Sequence, residues 1–261
     1  MSAEKYVTLI EYDSVALLTI RRPPVNALSI EVLTELEETV HSINANDAIK
    51  SVVLAGGSKT FFCAGADIKE LSTIQSEKDG LKYAEYGQSV LNKIDSAPKP
   101  YIAAVEGVCV GGGLELALAC HLRIAGAEAT FAMPEVNLGI MPGFGGTCRL
   151  PERIGKSRAL EMMLTGKEVT AEQAQGIGLI NQIVKSGAAL ETALHLARQI
   201  TDKGGRAIAA IMSVVNNPDC ASQEERLQKE AEAFGKLLTT RDAQEGLLAF
   251  LEKRLPHFKD H

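Results

Sequence analysis

The chain has no tryptophan, and aromatic residues occupy only 5% of its 261 positions. That is too sparse for a surface that stacks nucleic-acid bases or for a membrane barrel girdled by aromatic rings. Cationic side chains are in the minority, 27 Lys and Arg against 33 Asp and Glu. The resulting net charge of −6 opposes nucleic acid or an anionic membrane as a main partner. No uncharged apolar run approaches the roughly 18 residues that a membrane helix needs. The opening MSAEKYVTLIEY has an early acidic residue and no apolar signal core, so a cytoplasmic location is expected. The five cysteines (63, 109, 120, 148 and 220) form no CxxC pair and read as small buried residues in a reducing compartment. The five histidines lack ligand-like spacing, and no metal site is expected.

Hydrophobic residues, at 46%, are sufficient for a large core. Residues 5–22 read as a β-hairpin turning at Asp13-Ser14, and Ser29 is placed to cap a helix running to about Asn46. A buried strand over 51–57 is followed by a glycine-rich turn and a polar helical stretch over about 64–97. PYIAAVEGVCVGGG (100–113) reads as a buried strand pair or a strand and turn, LELALAC (114–120) as a short buried helix, and 121–136 as strand, turn, strand and loop. Helical spacing dominates from about 145 onward. This order predicts an α/β core over residues 1–195, with strand–strand–helix units, and a helical region over 196–261.

Three familiar glycine motifs are missing. Gly143 and Gly145 are followed by Cys148 where a dinucleotide fingerprint needs glycine, Gly155-Lys156-Ser157 has Leu150 in place of the first P-loop glycine, and no GxSxG elbow exists. Two other glycine clusters, CAGAD (63–67) and GGG (111–113), each follow a strand and open a helix. Small residues there let a backbone N–H come close to another atom. Two such groups aimed at one oxygen would make an oxyanion hole, although tight strand–helix packing would use the same residues. Glu115 and Glu135 stand in apolar, glycine-bordered surroundings. Each could simply offset a helix dipole, and together they fit general acid–base work.

At these residues the sequence resembles the crotonase superfamily, most closely the enoyl-CoA hydratases. The resemblance is carried by RPPVNALS (22–29), FFCAGADIKEL (61–71), the 99–125 segment around GGGLE, FAMPEVNLGIMPGFGGTCRLPERIG (131–155), and RDAQEGLLAFLEKRLPHF (241–258). It implies a superhelix of strand–strand–helix turns with C-terminal helices that assemble a homotrimer, often a dimer of trimers. It also implies that Ala66 and Gly112 donate the oxyanion-hole N–H groups and that Glu115 and Glu135 are the catalytic pair. Ala64, Ala66, Asp67, Ile68, Lys69, Gly112 and Gly143 would contact an acyl-CoA substrate, with Arg22 and Lys259 near its charged groups. Coenzyme A would be part of the substrate and no permanent cofactor would be bound. Met133 and Cys148 stand where hydratases often have glutamine. Double-bond isomerisation, hydration of a branched or aromatic-pathway acyl-CoA, and a non-catalytic RNA-binding role are the competing readings.

Overall fold

The structure, a computed structural model, describes residues 5–216 and 222–260. Strands β1 (Val7–Tyr12) and β2 (Val15–Ile20) pair antiparallel around Asp13-Ser14. Helix α1 (Ile30–Ala45) begins where the Ser29 hydroxyl accepts the Val32 N–H, and it buries Val32, Leu33, Leu36, Val40 and Ile43 along one stripe. Each Leu or Val so buried stabilises the fold by roughly 1.5–3 kcal/mol.

A strand–strand–helix unit then recurs. Its first form is β3 (Ser51–Gly56), β4 (Phe61–Cys63) and the helices α2 (Ile68–Leu71) and α3 (Glu77–Asp95). Its second is β5 (Tyr101–Val105), β6 (Val108–Val110) and α4 (Gly112–Ala119). Its third is β7 (Leu122–Gly126), β8 (Thr130–Ala132), a 3-10 turn at Glu135–Leu138, α5 (Gly146–Ile154) and α6 (Lys156–Thr165). In each unit the first strand joins a six-stranded sheet ordered β1-β2-β3-β5-β7-β10, and the second joins a four-stranded sheet ordered β4-β6-β8-β9. The expected strand pair in 100–113 is therefore two strands in different sheets. Short strands β9 (Val169–Thr170) and β10 (Gln182–Val184) flank α7 (Ala171–Gly176) inside a stretch read as helical. At two and three residues, they are too short to carry a periodic signal.

The main core lies between one face of the large sheet and α1, α3 and α4. The opposite face is covered by α8 (Ala189–Thr201), whose Ala189, Ala193 and Ala197 recur every four residues and pack near Val15, Val53, Ile102 and Ile124. Helices α9 (Gly205–Val215), α10 (Gln223–Leu238) and α11 (Arg241–Glu252) follow. Cys63, Cys109 and Cys120 are buried as expected, whereas Cys148 is exposed. It occupies the outward face of α5, whose inward side is taken by Arg149 and Leu150. Cys220 lies outside the described residues.

The C-terminal tail is tied down by buried Asp242, whose two carboxylate oxygens accept the N–H groups of Lys259 (2.8 Å) and Asp260 (2.7 Å). Asp260 in turn accepts the Gly205 N–H at the start of α9 and pairs with Lys50 at 2.5 Å. Asp242→Ala should therefore lower unfolding free energy by about 1–3 kcal/mol and speed protease cleavage of the tail. An unchanged urea midpoint and cleavage rate would contradict this anchoring role.

Candidate active site

Strands β4, β6 and β8 run parallel in the small sheet, with Cys63 beside Cys109 and Phe131 beside Cys109 on the other side. Their carboxyl ends therefore lie side by side, the place where open parallel sheets present ligand-binding loops. Ala66 stands three residues past β4, Gly112 two past β6, and Glu135 three past β8. Sequence-distant segments are brought together by strand register alone.

Two free amides result. Leu28 forms a single parallel bridge with Ala66, donating its N–H to the Gly65 carbonyl (2.8 Å) and accepting the Asp67 N–H (3.1 Å). In extended backbone, successive N–H groups point to opposite sides, so the Ala66 N–H faces away from Leu28. Gly112 opens α4, where first-turn N–H groups have no acceptor within the helix. Neither amide has an acceptor among the described residues. A Cβ built on Gly112 would lie 3.1 Å from the Ala66 nitrogen, so the two donors are neighbours. Gly111, at φ 54° and ψ −130°, makes the turn into α4 in a conformation that side chains other than glycine rarely adopt.

Two carboxylates line the same cavity as this pair. Glu115 lies in the first turn of α4 and is 2% exposed. Its Oε1 accepts the N–H groups of Phe144 (2.8 Å) and Gly146 (2.7 Å). Burial raises its pKa to about 7, with the Glu135 charge adding to the effect and the two amides opposing it. Glu135 begins the 3-10 turn after β8, and its Oε1 would lie 3.2 Å from a Cβ on Gly111. Burial raises its pKa as well, and its Oε2 is buried without a hydrogen-bond partner among the described residues.

A cavity of about 580 Å³ contains both acids and both amide residues. Of the residues expected at the site, Ala64, Ala66, Ile68, Gly112, Glu115, Glu135 and Gly143 line it; Asp67, Lys69, Arg22 and Lys259 do not. The Asp67 carboxylate caps α2 through the Lys69 N–H (2.9 Å) and pairs with Arg22 at 2.7 Å. Burial works against its charge, but Arg22 and the backbone donors hold its pKa below the usual value. The Lys69 side chain is exposed, and Lys259 lies with the tail on α11. Among the described residues, no three His, Cys, Asp or Glu side chains converge as a metal site.

Sequence reasoning missed two parts of the site. One is the pair of donors that holds Glu115, carried by the GFGG stretch, in which the sequence points to Gly143 as a substrate contact but not to the Phe144 and Gly146 amides as partners of Glu115. Arg149 fixes that loop by donating to the Phe144 carbonyl (3.0 Å) and to Asp95 (3.0 Å), and by bonding Asn92. The only sequence signal was a glycine-rich turn entering a helix. The other is the cavity wall from α2, α3 and the segment between them, including Leu71, Ile74 and Tyr83, whose residues look like ordinary amphipathic spacing.

A family model described as enoyl-CoA hydratase/isomerase matches residues 11–261. The chain is 42% identical over 246 residues to a probable enoyl-CoA hydratase of Bacillus subtilis, covering 94% of this chain and 95% of that one. It is 37% identical over 257 residues to a crotonyl-CoA hydratase of Syntrophomonas wolfei, covering 98% of each. Its structure is similar to a crystal structure of an enoyl-CoA hydratase from Bacillus anthracis, with a TM-score of 0.93 and 33% identity over 98% of this chain and 100% of that one.

The glycines separate site from scaffold. A Cβ on Gly113 would stand 2.2 Å from the Cys63 carbonyl oxygen, whereas one on Gly112 would intrude between the two donor amides. Gly113→Ala should prevent stable folding. Gly112→Ala should keep a cooperative thermal transition while losing on the order of 100-fold or more of the activity that uses those amides. Equal effects of the two variants on the thermal transition and on activity would refute the distinction.

Proposed function

The chain belongs to the enoyl-CoA hydratase/isomerase family, and on that premise we propose that it adds water across the 2,3 double bond of a trans-2-enoyl-CoA to give the 3-hydroxyacyl-CoA. Relatives of this kind make it an enzyme of the hydratase, or lyase, type. The observation that carries the finer reading is the pair of raised-pKa carboxylates beside two unpaired amides in one cavity.

The chemistry follows from the residues. Coenzyme A enters as part of the substrate thioester. Its carbonyl oxygen accepts from the Ala66 and Gly112 N–H groups, and negative charge gathers there as the β-carbon is attacked. An N–H donor aimed at such an oxygen lowers the barrier by about 3 kcal/mol. Glu115 is anchored through one oxygen, so its second oxygen orients a water molecule and takes its proton as the C–O bond forms at Cβ. Glu135, whose pKa burial raises, delivers a proton to Cα as the enolate collapses. Both acids hold the same water, so the two steps share one geometry. Isomerisation would move a proton between carbons and needs one such acid; two in one cavity favour hydration.

The same reading makes the protein a homotrimer, assembled through the C-terminal helices. Val215, Phe250, Leu251 and Leu255, all in or just after α9 and α11, are each more than three-quarters exposed in the single chain. A single-chain surface this apolar is usually covered by a partner. Sedimentation velocity should give a trimer or a dimer of trimers. A monomer at micromolar concentration would contradict the assembly.

The catalytic reading is tested by following loss of the enoyl-thioester absorbance and gain of one water by mass. Glu115→Gln and Glu135→Gln should each reduce kcat by at least about 100-fold while retaining binding of a saturated acyl-CoA. Because Glu115 acts ionised and its folded pKa is about 7, wild-type kcat/KM should fall as pH drops through that value. A mass-neutral product, or a near-wild-type rate in either variant, would overturn the assignment.

A further inference from the structure

Glu115 is anchored through Oε1 by the Phe144 and Gly146 amides, and that anchorage fixes where its second oxygen lies. What holds the amides lies outside the catalytic cavity. In chain order the Phe144 carbonyl stands between the two donors, and it accepts from Arg149 Nη1 at 3.0 Å. The same guanidinium donates from Nε to the Asp95 carboxylate at 3.0 Å and from Nη2 to Asn92 Oδ1. Asp95 and Asn92 belong to α3, so one planar fork ties the 144–146 turn to a neighbouring helix. Arg149 is not in the wall of the catalytic cavity. It borders a second cavity of about 490 Å³, together with Asn92, Asp95, Gly143 and Gly145. Its side chain is only 8% exposed, and the turn leaves room for it: a Cβ on Gly145 would stand 2.3 Å from Nη1. Burying a cation this deeply is unfavourable unless its hydrogen bonds are met, and here all three nitrogens find acceptors.

We propose that Arg149 is a positioning residue for the hydration: it clamps the 144–146 turn against α3, so that both amides stay on Glu115 Oε1 and the second oxygen stays set to take a proton from water. Arg149 acts through the turn and not on the substrate, and its role rests on the hydration reading. Its charge works in the same direction as its hydrogen bonds. Arg149 lowers the Glu115 pKa, as the two amides do, against burial and the Glu135 charge. The other ionisable neighbours add no charge at Glu115. The Cys63 and Cys109 thiols on β4 and β6 and the Tyr83 phenol on α3 have pKa values raised by burial and are neutral. Asp95 and Glu152 border the second cavity, with Arg149. Loss of the clamp therefore raises the Glu115 pKa, and kcat/KM begins to fall at a higher pH as the solution is acidified.

The test compares wild type with Arg149→Met, Arg149→Lys and the double variant Asn92→Ala/Asp95→Ala. The double variant keeps Arg149 but frees it from α3, and it alters only exposed or half-buried side chains, so it remains folded where an Arg149 variant does not. Two quantities are read: the pH profile of kcat/KM with crotonyl-CoA, and the infrared titration of Glu115 in the free enzyme, its band assigned by loss in Glu115→Gln. Arg149→Met should move the acid limb and the titration upward by about one pH unit, the effect of one hydrogen bond to a charged group. Its kcat should fall about tenfold or more with KM nearly unchanged. Arg149→Lys keeps the charge but cannot reach three acceptors, so it should restore only part of both. The double variant removes a negative charge and would lower the Glu115 pKa if Arg149 acted by charge alone; the clamp predicts a rise. An unmoved profile and titration in the folded variants, or a fall in the double variant, would overturn the positioning role. A titration that moves as expected in a protein that hydrates no enoyl-CoA would leave the clamp standing and remove the hydration reading.

Discussion

The amides of Ala66 and Gly112 are separated by more than forty residues, yet they stand side by side because β4 and β6 are neighbouring parallel strands that end together. Each is free for a different reason. The Leu28 bridge turns the Ala66 N–H away from its own strand partner, and the first turn of α4 leaves Gly112 without an intrahelical acceptor. Donors held in advance by backbone need no reorganisation when charge develops in front of them, which is what gives such an arrangement its catalytic value. The close contact of Gly113 with the Cys63 carbonyl is the constraint that keeps the helix and the strand at this spacing.

The acids depend on the same framework. β8 adds Glu135 at the third strand end, and α4 carries Glu115 one turn beyond Gly112. An ionised carboxylate in this interior would cost several kcal/mol without partners. Glu115 is compensated by two backbone N–H groups and the Arg149 charge, which bring its pKa back only as far as about 7. Glu135 has a weaker set of partners. Partial compensation leaves both pKa values raised, that of Glu115 to about 7, whereas the Arg22 salt bridge holds that of Asp67 below its usual value.

Much of this was legible in the sequence. The capped helix after Ser29, the hairpin, and the glycine clusters that follow strands are local features with local physical causes, and the structure shows them where their residues placed them. The pairing of CAGAD with GGG was legible as chemistry, but their proximity depends on strand register between distant segments, which local patterns do not encode. Phe144 and Gly146 escaped for a related reason: they act through backbone N–H groups, and a main-chain donor has no side-chain signature. Tyr83 sits in a helix whose polar and apolar spacing reads the same whether its inner face meets a core or a cavity. The strands β9 and β10 were too brief for alternation to show, and Cys148 faces outward because its neighbours Arg149 and Leu150 take the inner side of α5.

The central claim is that two backbone amides grip a thioester carbonyl oxygen, and its most direct test is the vibrational spectrum of that carbonyl. Butyryl-CoA labelled with carbon-13 at the carbonyl binds without reacting, and its stretch can be isolated by isotope-edited difference infrared spectroscopy. Gripped by both donors, the bound carbonyl is polarised and its band moves to lower wavenumber than in water. A bound band at or above the solution position would mean that the amides of Ala66 and Gly112 do not hold the oxygen.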